Sequence, residues 1–485
     1  MPFFNISDLI WDDFIYPRSA RKQQTIDAYG EALTAGAAFP PIIIQPVINY
    51  SAPNTSLSEI LLLILDGIHR WSAYKVLGLT EIEAVLWQDQ PLDYATCKDD
   101  MLLESARRNI NHGDRLSQTD KRQVARDIVT RDPEYQLSEE MLAGSLGVTQ
   151  QTVNNWIKDI RARQKASRDS TIHRLNRLGW TQQKIAQVVG ISQARVSGII
   201  GNTNFCIIDN LIAQGREMPY IAGHLNMDLA TAWAIKLTGL KDQEKFKALG
   251  WGLRTWDQWY FNDCDDRFGT DWPGRIPAQL VAHTLFYFTD PGDLVMDPMA
   301  GGGVVPDVCL LFERKCQAFD LAPIPDRPEI EPFHWTADTT TWPCTREPDL
   351  IFFDPPYFTK KKKAYQEKAD PQTPPISSLS RHQYMQFFTR FFELAHENTR
   401  PGAILAFLNA DWRDFESTPA KKESPDHAIT LFDFHRLLSE TGWKLTHRIE
   451  CPLSSERLSG TQVKNMQDKR ILGTVSRTLL IAKHI

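Results

Sequence analysis

The chain has 485 residues, too many for one compact core, and this length suggests about three domains. Its 42% hydrophobic and 24% charged residues match a folded soluble protein, which excludes wholesale disorder, and the longest aliphatic run, residues 60–65, is far too short to span a membrane. A net charge of −6 argues against a protein that simply coats nucleic acid, and seven scattered cysteines without a CxxC pair give neither a disulfide framework nor a metal site. With no basic-then-apolar leader at Met1-Pro2-Phe3-Phe4-Asn5, the expected compartment is the reducing cytoplasm, with no membrane partner.

Residues 1–103 mix short β-rich runs (41–47, 60–66 and 82–87) with helical stretches, which predicts an α+β domain. Within it, Leu65-Asp66-Gly67-Ile68-His69-Arg70-Trp71-Ser72-Ala73 follows an apolar strand and opens a helix. A glycine turn at Gly67, basic side chains at His69 and Arg70, and free helix amides would make an anion site. This segment resembles the D/G-x-x-R-x-x-A signature of the ParB partition-protein family and its sulfiredoxin-like relatives. Pro17-Arg18 and Asn109-Ile110-Asn111-His112-Gly113 fall where that family places further phosphate-loop residues. The resemblance implies a nucleoside triphosphate such as CTP as ligand, and a homodimeric clamp on DNA. Ile68-His69 replaces the family's usual Glu-Arg, a departure that bears on triphosphate hydrolysis.

Residues 104–244 show helical periodicity throughout and an internal repeat. Ala143-Gly144-Ser145-Leu146-Gly147-Val148-Thr149-Gln150-Gln151-Thr152-Val153 matches Ala186-Gln187-Val188-Val189-Gly190-Ile191-Ser192-Gln193-Ala194-Arg195-Val196. A small Ala lets two helices cross, Gly makes the turn, and Thr149 or Ser192 caps the next helix, whose Val153 or Val196 faces inward. This is helix-turn-helix grammar, and a weaker third copy contains Ala222, Asn226, Asp228 and Ala232. In such a motif the second helix enters the major groove of double-stranded DNA. The candidate readers are Gln150, Gln151, Asn154 and Gln193, suited to adenine, and Arg195, suited to guanine. Between residues 158 and 177 lie Lys158, Arg161, Arg163, Lys165, Arg168, Arg174 and Arg177, either a phosphate-facing strip or a solvated helix face.

Residues 245–485 alternate strand-like runs (294–297, 316–320, 350–354, 403–408, 444–450 and 478–482) with helices, which predicts a doubly wound α/β sheet whose last two strands form an edge hairpin. Residues 360–375, rich in lysine and then proline, read as a long loop, with Lys360–Lys363 as possible phosphate ligands. Two runs carry chemistry. Leu350-Ile351-Phe352-Phe353-Asp354-Pro355-Pro356-Tyr357 delivers an acid, two stiffening prolines and an aromatic ring from an apolar strand. Asp293-Leu294-Val295-Met296-Asp297-Pro298-Met299-Ala300-Gly301-Gly302-Gly303 ends another strand in an acid and a glycine turn.

Together these resemble the amino-methyltransferase family, with its D-P-P-Y catalytic motif and its D-P-F-x-G-x-G motif for S-adenosylmethionine; Met299 stands in place of the Phe. The resemblance covers about residues 245–485 and implies a Rossmann-like methyltransferase domain acting on the exocyclic amine of adenine in DNA. It implies catalytic roles for Asp354, Pro355, Pro356 and Tyr357. It implies cofactor contacts from Pro277 in Gly274-Arg275-Ile276-Pro277-Ala278-Gln279-Leu280, from Asp297, Pro298, Met299, Ala300, Gly301 and Gly303, from Asp320 and Leu321 at the next strand end, and from Asp338. A DNA-binding regulator with an inactive methyltransferase domain, and an RNA guanine methyltransferase, are the competing readings.

Overall fold

The computed structural model describes residues 2–18, 21–52, 55–56, 60–111, 115–132, 138–201, 205–261, 263–358, 375–413, 428–452, 459–468, 470 and 476–485. The chain forms two compact units, Met1–Lys165 and Ala166–Ile485, the division falling within the helix Gln150–Arg177.

The first unit is α+β, as expected. Its strands are β1 (Phe3–Asn5), β2 (Leu9–Ile10), β3 (Ile42–Ile48), β4 (Leu61–Asp66), β5 (Glu81–Leu86) and β6 (Leu92–Asp93). They form a mixed sheet in the order β1-β5-β3-β4-β2, with β6 pairing β3. Alternate residues Ile42, Ile44, Ile64, Ile82 and Ala84 bury one face against Ile68 and Trp71 of the helix Ile68–Val76. Helices follow from Tyr94–Asn111 onward.

The three repeat copies share one local geometry. In each, the residue closing the first helix is left-handed: Gly147 (φ 57°), Gly190 (φ 66°) and Asn226 (φ 49°). A backbone bond then returns from five residues on to Ala143, Ala186 or Ala222, at 3.1, 3.1 and 3.0 Å, the hydrogen bond of a Schellman turn. Thr149, Ser192 and Asp228 each accept the N–H three residues later, capping the second helix. Val153, Val196 and Ala232 are buried. The second and third copies also join the core that lines the large sheet, through Ile185, Ala186 and Val196 and through Ala230 and Ala234, whereas the first copy packs in a separate core.

The basic strip is mostly spent on protein partners. Arg161 pairs with Asp132, Arg163 with Asp159 and Arg168 with Asp169, while Arg174 is buried among Asp228, Asp307 and Glu329. Neither reading of the strip holds for Arg174. Its acidic partners are remote in sequence, so charge spacing alone could not reveal them.

The second unit holds the doubly wound sheet: β7 (Leu294–Asp297), β8 (Lys315–Asp320), β9 (Ile330–Pro332), β10 (Leu350–Phe353), β11 (Ile404–Asn409), β12 (Trp443–Pro452) and β13 (Ser476–His484). Their order is β9-β8-β7-β10-β11-β13-β12, parallel except for β13, which runs antiparallel to both its neighbours, β11 and its hairpin partner β12. This is the Rossmann-like sheet with an edge hairpin that the sequence predicts. β9 was not anticipated.

Side chains alternate between two cores. Val295, Leu350 and Phe352 face the helices Ala278–Phe288 and Val304–Leu311, while Met296, Ile351 and Phe353 face Arg381–Glu397 and Leu431–Glu440. The helix Arg381–Glu397 starts with a capping box between Ser380 and Gln383, then sets Tyr384, Phe387, Phe388, Phe391 and Phe392 on one buried stripe at helical spacing. Each such ring is worth about 1.5–3 kcal/mol of burial.

His283, fully buried on the helix Ala278–Phe288, is locked as a neutral tautomer. Its Nδ1 faces the Gln279 carbonyl at 2.6 Å, and its Nε2 accepts the Arg254 N–H at 2.9 Å. Burial pushes its pKa down from 6.5 to about 4. The unfolded chain therefore takes up this proton first. The stability is fully present above the unfolded pKa and is lost as pH falls toward the folded one, by about 3 kcal/mol at most. Denaturant midpoints taken across that window should fall with acidity, and His283→Gln should flatten the trend. Parallel slopes for both proteins would reject it.

Candidate functional site

In an open sheet, ligands gather where the strand order reverses, beyond the C-terminal ends of the strands. Here the reversal lies between β7 and β10, and the two chemistry-bearing loops leave those strands. They meet in one cavity, lined by Met299, Gly301, Asp320, Leu321, Asp354 and Pro356 among the expected residues. Trp272, Ala322, Phe333, His334, Trp335, Pro375 and Ile376 complete its wall.

The turn after β7 is fixed from within. Asp297 is buried, and its Oδ1 accepts the Met299 N–H at 3.2 Å. Burial, and then the charges of Asp320 and Asp354, push its pKa well above the usual carboxylate range. The Pro298 carbonyl accepts Trp335 Nε1 at 3.0 Å, and the Ala300 N–H bonds Phe319 O at 2.8 Å. Asp320, at the end of β8, receives the N–H groups of Gly301 (2.8 Å) and Ala322 (3.0 Å), one on each oxygen.

The sequence predicts room for a ligand at these glycines, and the structure gives the two different surroundings. Gly301 has φ +49° and borders the cavity, yet a Cβ there would stand 2.7 Å from Trp272 Nε1. Gly303 (φ +79°) faces the protein instead. The Arg327 guanidinium occupies the place its Cβ would take and donates to its carbonyl at 2.6 Å. That glycine makes room for an arginine rather than a ligand.

Beyond β10, Tyr357 donates its hydroxyl to Asp354 Oδ1 at 3.1 Å. Burial, followed by the Asp354 charge, holds that hydroxyl well above its ordinary pKa, so it stays a donor. Tyr384, from the helix Arg381–Glu397, donates to the Pro356 carbonyl at 3.1 Å and pins the loop from below. Pro355 is buried between them. Pro277 caps the helix Ala278–Phe288 away from the cavity wall, and Asp338 is exposed, its N–H on Thr336 Oγ1. The wall expected of Asp338 is made by Phe333, His334 and Trp335, which follow the short strand β9. Partial desolvation lowers the pKa of the exposed His334, favouring its neutral form.

Carboxylates at Asp320 and Asp354, with aromatic walls from Trp272, Phe333 and Trp335, suit a ligand that carries both a flat ring and a positive charge. Among the described residues no cluster of metal-ligating side chains occurs.

Among the candidate DNA readers, Gln150, Gln151, Gln193 and Arg195 are exposed and Asn154 is half-buried. In the first unit, Gly67, His69 and Arg70 line one cleft with Arg18 and Asn109. Gly67 is left-handed and opens the helix Ile68–Val76, as expected. Arg70 pairs with Asp66 at 2.9 Å and donates to the carbonyls of Pro40 and Pro41, so its charge is largely committed. His69 is buried, with Nε2 facing the Lys22 N–H at 3.3 Å and the Tyr16 hydroxyl at 3.4 Å. Arg18 bonds Asn109 at 3.0 Å. His112, Gly113 and Lys360–Lys363 lie outside the described residues, as does nearly all of the predicted 360–375 loop.

No protein-family model matches the sequence, and no curated protein matches it. Among solved structures, a methyltransferase from Pyrococcus furiosus is 12% identical over 43% of this chain and 83% of its own, with a TM-score of 0.26. A precorrin-6y C5,15-methyltransferase from Geobacter metallireducens is 10% identical over 46% and 96%, also at 0.26. The chromosome-partitioning protein ParB from Caulobacter crescentus, complexed to the centromeric parS site, is 16% identical over 45% and 94%, at 0.23.

Proposed function

We infer that this chain is an S-adenosylmethionine-dependent methyltransferase acting on the exocyclic amine of adenine in DNA. The observation that carries the reading is the single cavity at the sheet's reversal point, bordered by Gly301 and Asp320 on one side and by Asp354 and Pro356 on the other. S-adenosylmethionine supplies an adenine ring and a methyl group on a cationic sulfur, and the aromatic and acidic wall suits both. Asp320 would hold the ribose beside Leu321, with Met299 and Trp272 against the flat ring. No metal is needed for the residue roles assigned here.

An aryl amine is a poor nucleophile because its lone pair is delocalised into the ring. Asp354 and the Pro355 carbonyl, by accepting its N–H bonds, would favour a tetrahedral nitrogen and stabilise the positive charge that develops there. Tyr357 supports this by fixing the Asp354 carboxylate, and its ring offers a stacking face to a base flipped from the duplex. The exposed Gln150, Gln151, Gln193 and Arg195, with Asn154, would read the DNA from the first two helix pairs. The cleft bearing Gly67 is the candidate site for a nucleoside triphosphate and for clamp-like dimerisation.

Transfer of a labelled methyl group to unmethylated DNA, followed by digestion to nucleosides, tests the function. N6-methyldeoxyadenosine is expected. Methylcytosine or methylated RNA guanine would replace the assigned substrate, and cofactor binding without any transfer would leave a regulator. In the same assay, Tyr384→Phe removes one neutral hydrogen bond from the loop and should slow turnover about fivefold, with cofactor affinity unchanged. Wild-type rates would show that the loop needs no support from that hydroxyl.

A further inference from the structure

Arg477 is the second residue of β13 and is buried, at 9% exposure. Among the described residues it makes no ion pair, and its Nε has no hydrogen-bond partner. The sheet register fixes where it lies. Phe353 pairs with Phe407, and Phe407 with Leu480. Asn409, the last residue of β11, pairs with Thr478, so Arg477 lies just past the C-terminal end of β11, at the end of the sheet from which the Asp354 loop leaves β10. Across the hairpin it faces Cys451. Burial and the Asp354 charge raise the Tyr357 hydroxyl pKa, and the Arg477 charge works against them, so the guanidinium acts on the catalytic loop through space.

A buried guanidinium without a counter-ion is costly unless something else brings the negative charge. The strand order says from which side. β7 and β8, carrying Gly301 and Asp320, lie on one flank of β10, and β11 and β13 lie on the other. Arg477 is therefore across Asp354 from the cofactor side, on the flank where a nucleotide must approach. Every base in a nucleic acid arrives with phosphates attached, and a guanidinium fork fits two phosphate oxygens.

The geometry points to Arg477 as the residue that receives a backbone phosphate of the target nucleotide, an assignment that rests on the base-methylating function proposed above. Arg477→Met and Arg477→Lys would be compared with wild type, each saturated with S-adenosylhomocysteine, whose retained affinity reports an intact fold. The probes are deoxyadenosine 3′,5′-bisphosphate and deoxyadenosine, followed by NMR titration. Wild type should prefer the bisphosphate by about tenfold or more, Arg477→Lys less, and Arg477→Met not at all. With DNA as substrate, Arg477→Met should raise KM about tenfold with little change in kcat, and reduce the salt dependence of binding by about one phosphate contact.

Equal binding of the two probes to wild type, or an undiminished preference in Arg477→Met, overturns the assignment. So does a fall in kcat with unchanged KM and a shifted pH–rate profile, which would make Arg477 a positioning residue for Asp354. A phosphate preference that depends on Arg477 in a protein that methylates no DNA would sink the substrate reading and leave this one standing.

Discussion

Asp354→Asn is expected to lower methyl-transfer turnover by about 10²–10³-fold while leaving S-adenosylmethionine affinity within about twofold of wild type. The carboxylate is held by Tyr357 at 3.1 Å and borders the cavity at the start of the loop from β10. An asparagine of the same shape can present an N–H where the amine needs an acceptor, so the chemistry suffers and the loop does not. In the proposed reading the cofactor lies on the other side of the strand reversal, beside Gly301 and Asp320. Single-turnover rates with calorimetric cofactor binding separate the two. Were both to fall together, Asp354 would belong to the cofactor pocket or to the fold.

The second large effect concerns stability. Arg174 is buried, with Asp307 at 2.5 Å, Glu329 at 2.8 Å and Asp228 at 3.2 Å. Arg327 shares Asp307 and Glu329, each at 2.8 Å, and also holds the Gly303 carbonyl. Asp307 in turn accepts the Gly269 N–H at 2.6 Å. Arg174→Met would leave two buried carboxylates, Asp307 and Glu329, to one guanidinium, an uncompensated charge costing about 3–5 kcal/mol. The thermal midpoint should then drop by roughly 10 °C. Adding Glu329→Gln removes one stranded charge and should recover part of the loss. A single variant as stable as wild type, or a double variant worse than the single, would show that the network contributes little.

The readable parts of this chain were those whose signal is local. An apolar run such as Leu350–Phe353 announces a buried strand, and the acid that follows it has to sit at the strand's end. The helix pairs were equally legible, because Ala143, Gly147 and Thr149 each have a steric or capping reason that repeats at Ala186, Gly190 and Ser192. β9, with three residues, is too short to show a period of two, so the wall it leads into, Phe333 to Trp335, went unseen. Trp272 and Arg327 escaped because their work is done across space, on Gly301 and Gly303. Arg174 looked like a surface charge because its partners are 54, 133 and 155 residues away.

The strand order also governs how the molecule is made. β13 lies between β11 and β12, although it is synthesised after both. Until residues 476–484 have left the ribosome, β11 keeps a bare backbone edge, and β12 has no neighbour to pair with. A nascent chain stalled before that point would carry its helix pairs and most of its sheet, yet offer other chains an open seam.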